Sequence, residues 1–194
     1  MCDRRHLHAL VFAVAMIGCL GLSSLTPAVA ATRSKADIDR DARRALATLL
    51  KSNKAAQIVA EKAKAVLVFP SIYKAGFVVG GQYGEGALLQ AGKTVGYYSS
   101  AAASYGLQAG GQKFGYAMFF MTEAARAYLA KSDGWEVGVG PSLVVVDKET
   151  AAAFGKTMTS STLQDDIYAF IFSQKGLMAG LGLQGSKITR INPQ

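Results

Sequence analysis

The chain has 194 residues, of which 51% are hydrophobic, and its 21 basic and 13 acidic residues give a formal net charge of +8. All of its cysteines and histidines, which are Cys2, His6, His8 and Cys19, precede Ala30. Ser-His-Asp and Cys-His catalysis, Cys/His metal centres and disulfides are therefore excluded from residues 31–194. That part is long enough for one domain stabilised by burial alone.

The first thirty residues are typical of a secretory signal peptide. Arg4 and Arg5 precede an apolar stretch over residues 9–25, and alanines at positions 28 and 30 fit an A-x-A cleavage site. At about 17 residues, the apolar stretch is short for a membrane-spanning helix. We therefore expect cleavage after Ala30, export, and a single domain over residues 31–194. Because Asp3 is removed with the two arginines, that domain has 19 basic and 12 acidic residues, a net charge of +7.

A second processing route stays open. Met16-Ile17-Gly18-Cys19 resembles a bacterial lipobox, in which Cys19 is acylated and becomes the new N-terminus. A lipid on Cys19 would tether the domain to a membrane without spanning it. Both routes predict a protein of the periplasm or cell envelope, and the second adds attachment to a membrane.

Residues 36–54 have the pattern of an amphipathic helix. Its apolar residues recur at spacings of three and four, at Ile38, Ala42, Ala45, Leu46, Leu49 and Leu50. The basic residues Arg40, Arg43, Arg44, Lys51 and Lys54 fall on the opposite side. Such a face can lie in a layer of anionic lipid headgroups. The alternative is an ordinary helix that packs on the rest of the domain with its charges in water, and both can hold together.

The pattern of the rest of the chain predicts mainly strands. Asn53 predicts a break, and a second helix follows over residues 54–64. Strand patterns cover residues 66–69, ended by Pro70, then 76–83, 95–97, 114–120, 135–139, 143–146, 167–172 and 180–183. Turns are predicted at residues 84–86 and 91–93, a helix capped by Thr122 over residues 122–131, and a loop over residues 151–164.

Glycine is dense between Gly76 and Gly115. In strands, glycine permits sharp bends and close approach of two backbones, so these residues predict a sheet that curls. The alternative is that they line a ligand surface. The predicted fold class is α+β, with a curled, mostly antiparallel, barrel-like sheet covered by the N-terminal amphipathic helices.

The sequence gives only weak signals of catalysis. Gly92-Lys93-Thr94 is not a P-loop, because Ala87 stands where the motif requires its first glycine and the segment lies between strands. Asp165 and Asp166 are adjacent on an extended segment and point to opposite faces. A pair of Asp165 or Asp166 with Glu85, Glu123 or Glu136 stays open as the basis of a His-free hydrolase. No cofactor, metal or nucleic-acid partner is predicted.

One stretch carries a resemblance to a known family. Residues 65–86, with the blocks Phe69-Pro70-Ser71, Lys74-Ala75-Gly76-Phe77 and Gly84-Glu85-Gly86, closely resemble the SYLF domain family. Similar blocks follow at residues 105–110, 120–122, 176–180 and 183–188, so the resemblance covers residues 36–191. It implies a non-enzymatic module that binds phospholipid in bacterial envelope proteins and eukaryotic membrane-trafficking proteins.

The resemblance also implies which residues contact lipid. In eukaryotic members a basic amphipathic N-terminal helix takes part, and it corresponds here to the segment with Arg40, Arg43, Arg44, Lys51 and Lys54. Lys64 and Lys74, which flank the Phe-Pro-Ser block, are the next candidates for headgroup contacts.

The expected ligand follows from the envelope setting. Phosphoinositide and actin binding are not carried over to a bacterial envelope, where phosphatidylglycerol or cardiolipin fits the charge of the chain. The predicted function is binding of anionic phospholipid at the envelope. The alternative is a scaffold that binds another envelope protein or the cell wall, with incidental lipid contact.

Overall fold

A computed structural model of the chain describes residues 33–131, 133–147, 150–151, 156, 163–176, 183 and 185–194, without the side chains of residues 77–78 and 104–109. These residues belong to one compact unit that spans Thr32–Gln194. Four predicted features lie wholly or mostly outside the described residues: the signal peptide, Cys19, the loop over residues 151–164 and the strand over residues 180–183.

Two helices open the described chain, α1 (Lys35–Ser52) and α2 (Lys54–Lys62). Ser34 caps α1, because its hydroxyl accepts a hydrogen bond from the Asp37 amide at 3.1 Å. Asn53 ends α1 and begins α2, since its side chain accepts from the Ala56 amide at 3.0 Å. The predicted break at Asn53 is confirmed.

The sheet is built around one long antiparallel hairpin. Its strands are β1 (Ala65–Gln90) and β2 (Lys93–Phe120), joined by a turn at Ala91 and Gly92, whose φ angles are 49° and 75°. This corrects two predictions. Pro70 does not end a strand, because a register shift between Phe69 and Ile72 accommodates it, and residues 84–86 form part of β1 instead of a turn.

The remaining elements are α3 (Glu123–Ala127), a single 3₁₀ turn (Tyr128–Ala130), β3 (Trp135–Glu136), β4 (Leu143–Val146), β5 (Ile167–Gly176) and β6 (Lys187–Ile191). Thr122 caps α3, as predicted, by accepting from the Ala125 amide at 3.1 Å. The predicted strand over residues 135–139 is only two residues long. The sequence does not predict β6, whose five residues, Lys-Ile-Thr-Arg-Ile, show no regular alternation.

β2 lies at the centre of the sheet. It pairs antiparallel with β1, with β5 and with β6, while β3 pairs antiparallel with β6. Among the described strands, only β4 and β5 pair in parallel. The α+β class and the mostly antiparallel sheet are therefore confirmed.

Glycines let the hairpin curl back on itself. A Cβ atom at Gly84 would lie 2.4 Å from the Ser71 carbonyl oxygen, and one at Gly86 would lie 2.3 Å from the Val68 carbonyl oxygen. The second half of β1 therefore touches its first half. The curl is confirmed, and at these two positions the missing side chain makes room for backbone instead of a ligand.

Each face of the sheet has its own buried layer. One face carries a core that includes Phe69, Tyr116 and Phe120. The other, which we call the helix-side face, carries Val68, Ala87, Ala117, Phe119 and Phe170 and packs with Ile38, Ala42 and Leu49 of α1 and Val59 of α2. No helix in the described part of the chain has the length and apolar character needed to cross a bilayer.

Candidate functional site

A cavity of about 480 Å³ opens where α1 and α2 meet the two ends of β1. Ten of its lining residues are apolar or glycine: Leu46, Ala47, Leu50, Ala60, Ala63, Ala65, Val66, Leu89, Ala91 and Gly92. Among the described residues that line it, only Arg43 and Lys64 are charged. The cavity therefore combines an apolar wall with two cations, a pairing suited to an amphiphile that carries negative charge.

Arg43 is held in place by the turn between β1 and β2. Its guanidinium donates to the Gly92 carbonyl oxygen at 2.7 Å and to the Thr94 hydroxyl at 3.1 Å. The Thr94 hydroxyl in turn donates to Asp39 at 2.8 Å. Because a guanidinium has five N–H donors, several remain for a ligand after these two bonds. The turn thus positions the cation at the cavity while leaving it exposed.

Asp39 is the acidic member of this network. Its carboxylate also accepts a hydrogen bond from the Tyr97 hydroxyl at 3.2 Å. Burial, together with the nearby Asp39 carboxylate, raises the pKa of Tyr97. The Tyr97 hydroxyl therefore stays a donor at neutral pH. Asp39 offsets part of the charge of Arg43 but leaves the second cation of the cavity untouched.

Lys64 enters the cavity from the start of the sheet. It immediately precedes β1, and its backbone amide donates to the Phe120 carbonyl oxygen at 2.8 Å, which ties its main chain to the edge of β2. Its side chain is exposed. Across the described ranges, no carboxylate forms an ion pair with Lys64. Its ammonium group is therefore a cation on a fixed backbone.

The structure brings together two of the seven predicted lipid contacts, Arg43 and Lys64. Arg40 is engaged otherwise, with its guanidinium 2.7 Å from the Asp37 carboxylate and 3.4 Å from that of Asp41. The hydrogen bond that Arg40 donates to Asp37 and the charges of both carboxylates raise the pKa of Arg40 still further. Two neighbouring negative charges thus offset its positive charge.

The other four predicted contacts lie away from the cavity lining. Arg44 and Lys51 are exposed on α1, and Lys54 is exposed at the first position of α2. Lys74 is half-buried in β1, ten residues beyond Lys64 along the strand. Their roles in lipid binding stay predictions.

The sequence does not predict the apolar lining. Leu46 and Leu50 belong to the predicted apolar stripe of the first helix, and both pack at the edge of the helix-side core. In the structure Ile38, Ala42 and Leu49 are buried, whereas Leu46, Ala47 and Leu50 line the cavity. The available signal is their spacing of three, four and seven residues from Arg43, which places them beside it on the helix surface.

Two of the candidate carboxylates form contacts within the fold. Asp166 accepts hydrogen bonds from the Ser142 amide at 3.1 Å and the Thr122 hydroxyl at 3.1 Å, and Glu123 pairs with Arg126 at 2.7 Å. The contacts of Asp166 link segments that are distant in sequence, and the pair of Glu123 with Arg126 lies within α3. In the described ranges, no three His, Cys, Asp or Glu side chains come together as a metal site would require.

Glu85 differs from these carboxylates because it is only 8% exposed. One of its oxygens accepts from the Tyr83 hydroxyl at 2.9 Å, and the other is buried without a hydrogen-bond partner. Burial and the hydrogen bond to Glu85 raise the pKa of Tyr83 to about 12. Neither residue lines the cavity.

No protein-family model matches the chain, and no similar protein is found among curated sequences. The resemblance to SYLF domains therefore rests on the motifs that carry it.

Proposed function

We propose that the chain binds anionic phospholipid at the bacterial envelope without bond-making chemistry, and that one lipid sits in the cavity between α1, α2 and the turn after β1. The observation that carries the proposal is an apolar cavity with Arg43 and Lys64 as its charged lining residues in the described chain. A phosphate accepts charge-assisted hydrogen bonds from both cations, and an acyl chain covers the apolar wall.

The composition of the wall separates lipid from simpler ligands. A soluble anion would gain nothing from Leu46, Leu50 and Val66, and a neutral apolar ligand would gain nothing from the two cations. The volume of about 480 Å³ falls within the range of roughly 300–1,000 Å³ of small-ligand sites. The resemblance to SYLF domains, which implies phospholipid binding, agrees with this choice.

The scaffold of the site is, in this proposal, a barrel-like sheet with the N-terminal helices over its helix-side face. Arg44, Lys51 and Lys54 then serve the approach to the membrane. Each exposed basic residue near an anionic surface contributes about 1 kcal/mol of attraction. That attraction decays with distance over a Debye length of roughly 8 Å at physiological salt. Attraction brings the domain to the bilayer, and the cavity retains one lipid.

Vesicle flotation tests the electrostatic part of the proposal. With vesicles of phosphatidylglycerol and phosphatidylcholine, we expect the bound fraction to rise with the share of phosphatidylglycerol and to fall as salt is added. Charge reversal at Arg43, Arg44 and Lys51 together is expected to weaken binding further. Equal binding to purely zwitterionic and to anionic vesicles, unchanged by these substitutions, would contradict the proposal.

A further inference from the structure

A row of three side chains crosses β1, β2 and β5 on the helix-side face. Tyr73 pairs with Lys113, and Lys113 pairs with Lys175, so the three stand directly beside one another. Alternation along β2 puts Lys113 on the same face as Ala117 and Phe119, which belong to the helix-side core. All three members are exposed, so they lie beyond the part of this face that the helices bury. We call them the lysine row.

The row sets two lysines at directly paired positions of neighbouring strands. Residues directly opposite on antiparallel strands have Cβ atoms about 4.5–5.5 Å apart, and like charges in that position repel. The ammonium group of Lys113 lies 5.0 Å from the centre of the Tyr73 ring, a cation–π contact that holds it over the sheet. No carboxylate in the described ranges pairs with Lys113 or Lys175. An anion between the two lysines would relieve their repulsion.

Apolar exposure in the row favours a lipid surface over a soluble anion. Among the described residues, six large hydrophobic side chains are exposed, and Tyr73, at 60%, is the most exposed of them. The next pair on the same face, Ala75 and Gly111, has no bulky side chain to screen the row. Tyrosine and lysine side chains both suit the headgroup layer, where an apolar body and a polar tip find matching surroundings.

We infer that the lysine row is a second contact site, which docks the domain on the anionic headgroup layer of a bilayer. It is distinct from the cavity, which takes one lipid molecule. This inference rests on the proposed lipid-binding function. The two ammonium groups bind lipid phosphates, and Tyr73 lies at headgroup depth beside them.

The test compares two double variants on phosphatidylglycerol vesicles. Lys113→Gln with Lys175→Gln is expected to lower the partition coefficient about thirtyfold, because each lysine near an anionic surface contributes roughly a factor of five. The matched control is Lys131→Gln with Lys187→Gln, which removes the same charge from exposed lysines elsewhere, and Lys131 also lies over a tyrosine ring. The control is expected to change partitioning less than about threefold, because charges farther than a Debye length from the bilayer are screened.

A second ligand separates this inference from the cavity. Monomeric dihexanoyl phosphatidylglycerol offers a phosphate and short acyl chains but no bilayer, so its affinity is expected to be the same in wild type and in the Lys113/Lys175 variant. Equal flotation of that variant and wild type would overturn the inference that the lysine row docks on the bilayer. Equal losses of vesicle binding in both double variants would overturn it as well. Vesicle binding that depends on the row without any binding of monomeric lipid would overturn the cavity proposal alone. A wild-type chain that floats with no anionic vesicle would contradict both the lysine-row inference and the proposed function. Circular dichroism establishes that each variant is folded.

Discussion

Replacing Gly86 with alanine is expected to lower the free energy of unfolding by about 3 kcal/mol. The new Cβ would lie 2.3 Å from the Val68 carbonyl oxygen and 2.8 Å from the Cδ1 atom of Phe69. Val68 and Phe69 are fully buried, one in each core, so neither can move aside without disturbing its neighbours. Chemical denaturation followed by circular dichroism measures the loss.

Gly81→Ala is the matched control in the same strand. A Cβ there would have its nearest neighbour, the Ala102 carbonyl oxygen, at 3.6 Å, an ordinary van der Waals contact. The control is expected to leave stability unchanged or to raise it by about 0.5 kcal/mol through a less flexible unfolded chain. Equal denaturation midpoints for the two variants would mean that the halves of β1 do not touch at Gly86.

Removing both cations of the cavity is expected to weaken binding of monomeric phosphatidylglycerol by about two orders of magnitude or more. In Arg43→Gln with Lys64→Gln, the phosphate loses two charge-assisted hydrogen bonds, each worth about 1.5–3 kcal/mol. Isothermal titration calorimetry with the dihexanoyl lipid measures the affinity. Because Arg43 also bonds the Gly92 carbonyl oxygen, a thermal melt of the variant accompanies the titration.

The control for this pair is Lys51→Gln with Lys54→Gln, which removes the same net charge from exposed positions outside the cavity lining. Its affinity for the monomeric lipid is expected to stay within about threefold of wild type, since exposed charges at a distance are screened. Comparable losses in the two double variants would show that general charge, and not the cavity, governs affinity.

Local signals predicted the helices well. The apolar spacing in α1, the break at Asn53 and the cap at Thr122 each depend on residues within four positions of one another, and all three are confirmed. The ion pair of Arg40 could also have been predicted from the local sequence. Its ion pair with Asp37 spans only three residues, which is a readable helical spacing.

The long hairpin could not be predicted in the same way. Pro70 and the segment over residues 84–86 look like stops when read locally. The structure keeps both within β1, because a register shift absorbs the proline and because Gly84 and Gly86 lie against backbone that is twelve or more residues away in sequence. Such contacts depend on the curl itself and leave no periodic pattern in the sequence.

The site was predicted only in part for the same reason. Arg43 and Lys64 could be predicted as basic residues near the start of the domain. The cavity itself could not, because only the curl brings Val66 and Leu89 from opposite ends of β1 to one wall. The lysine row depends on register, which sequence alone does not fix. Lys113 and Lys175 become neighbours only through the pairing of β2 with β5.

Photo-cross-linking tests the central claim most directly. A phosphatidylglycerol with a diazirine on one acyl chain is bound to the wild-type chain, irradiated, and mapped by mass spectrometry of the digested protein. We expect adducts concentrated in the peptides that contain residues 46–50 and 60–66, which form the apolar wall of the cavity. Lipid that binds the chain but leaves its adducts on other peptides would contradict the account.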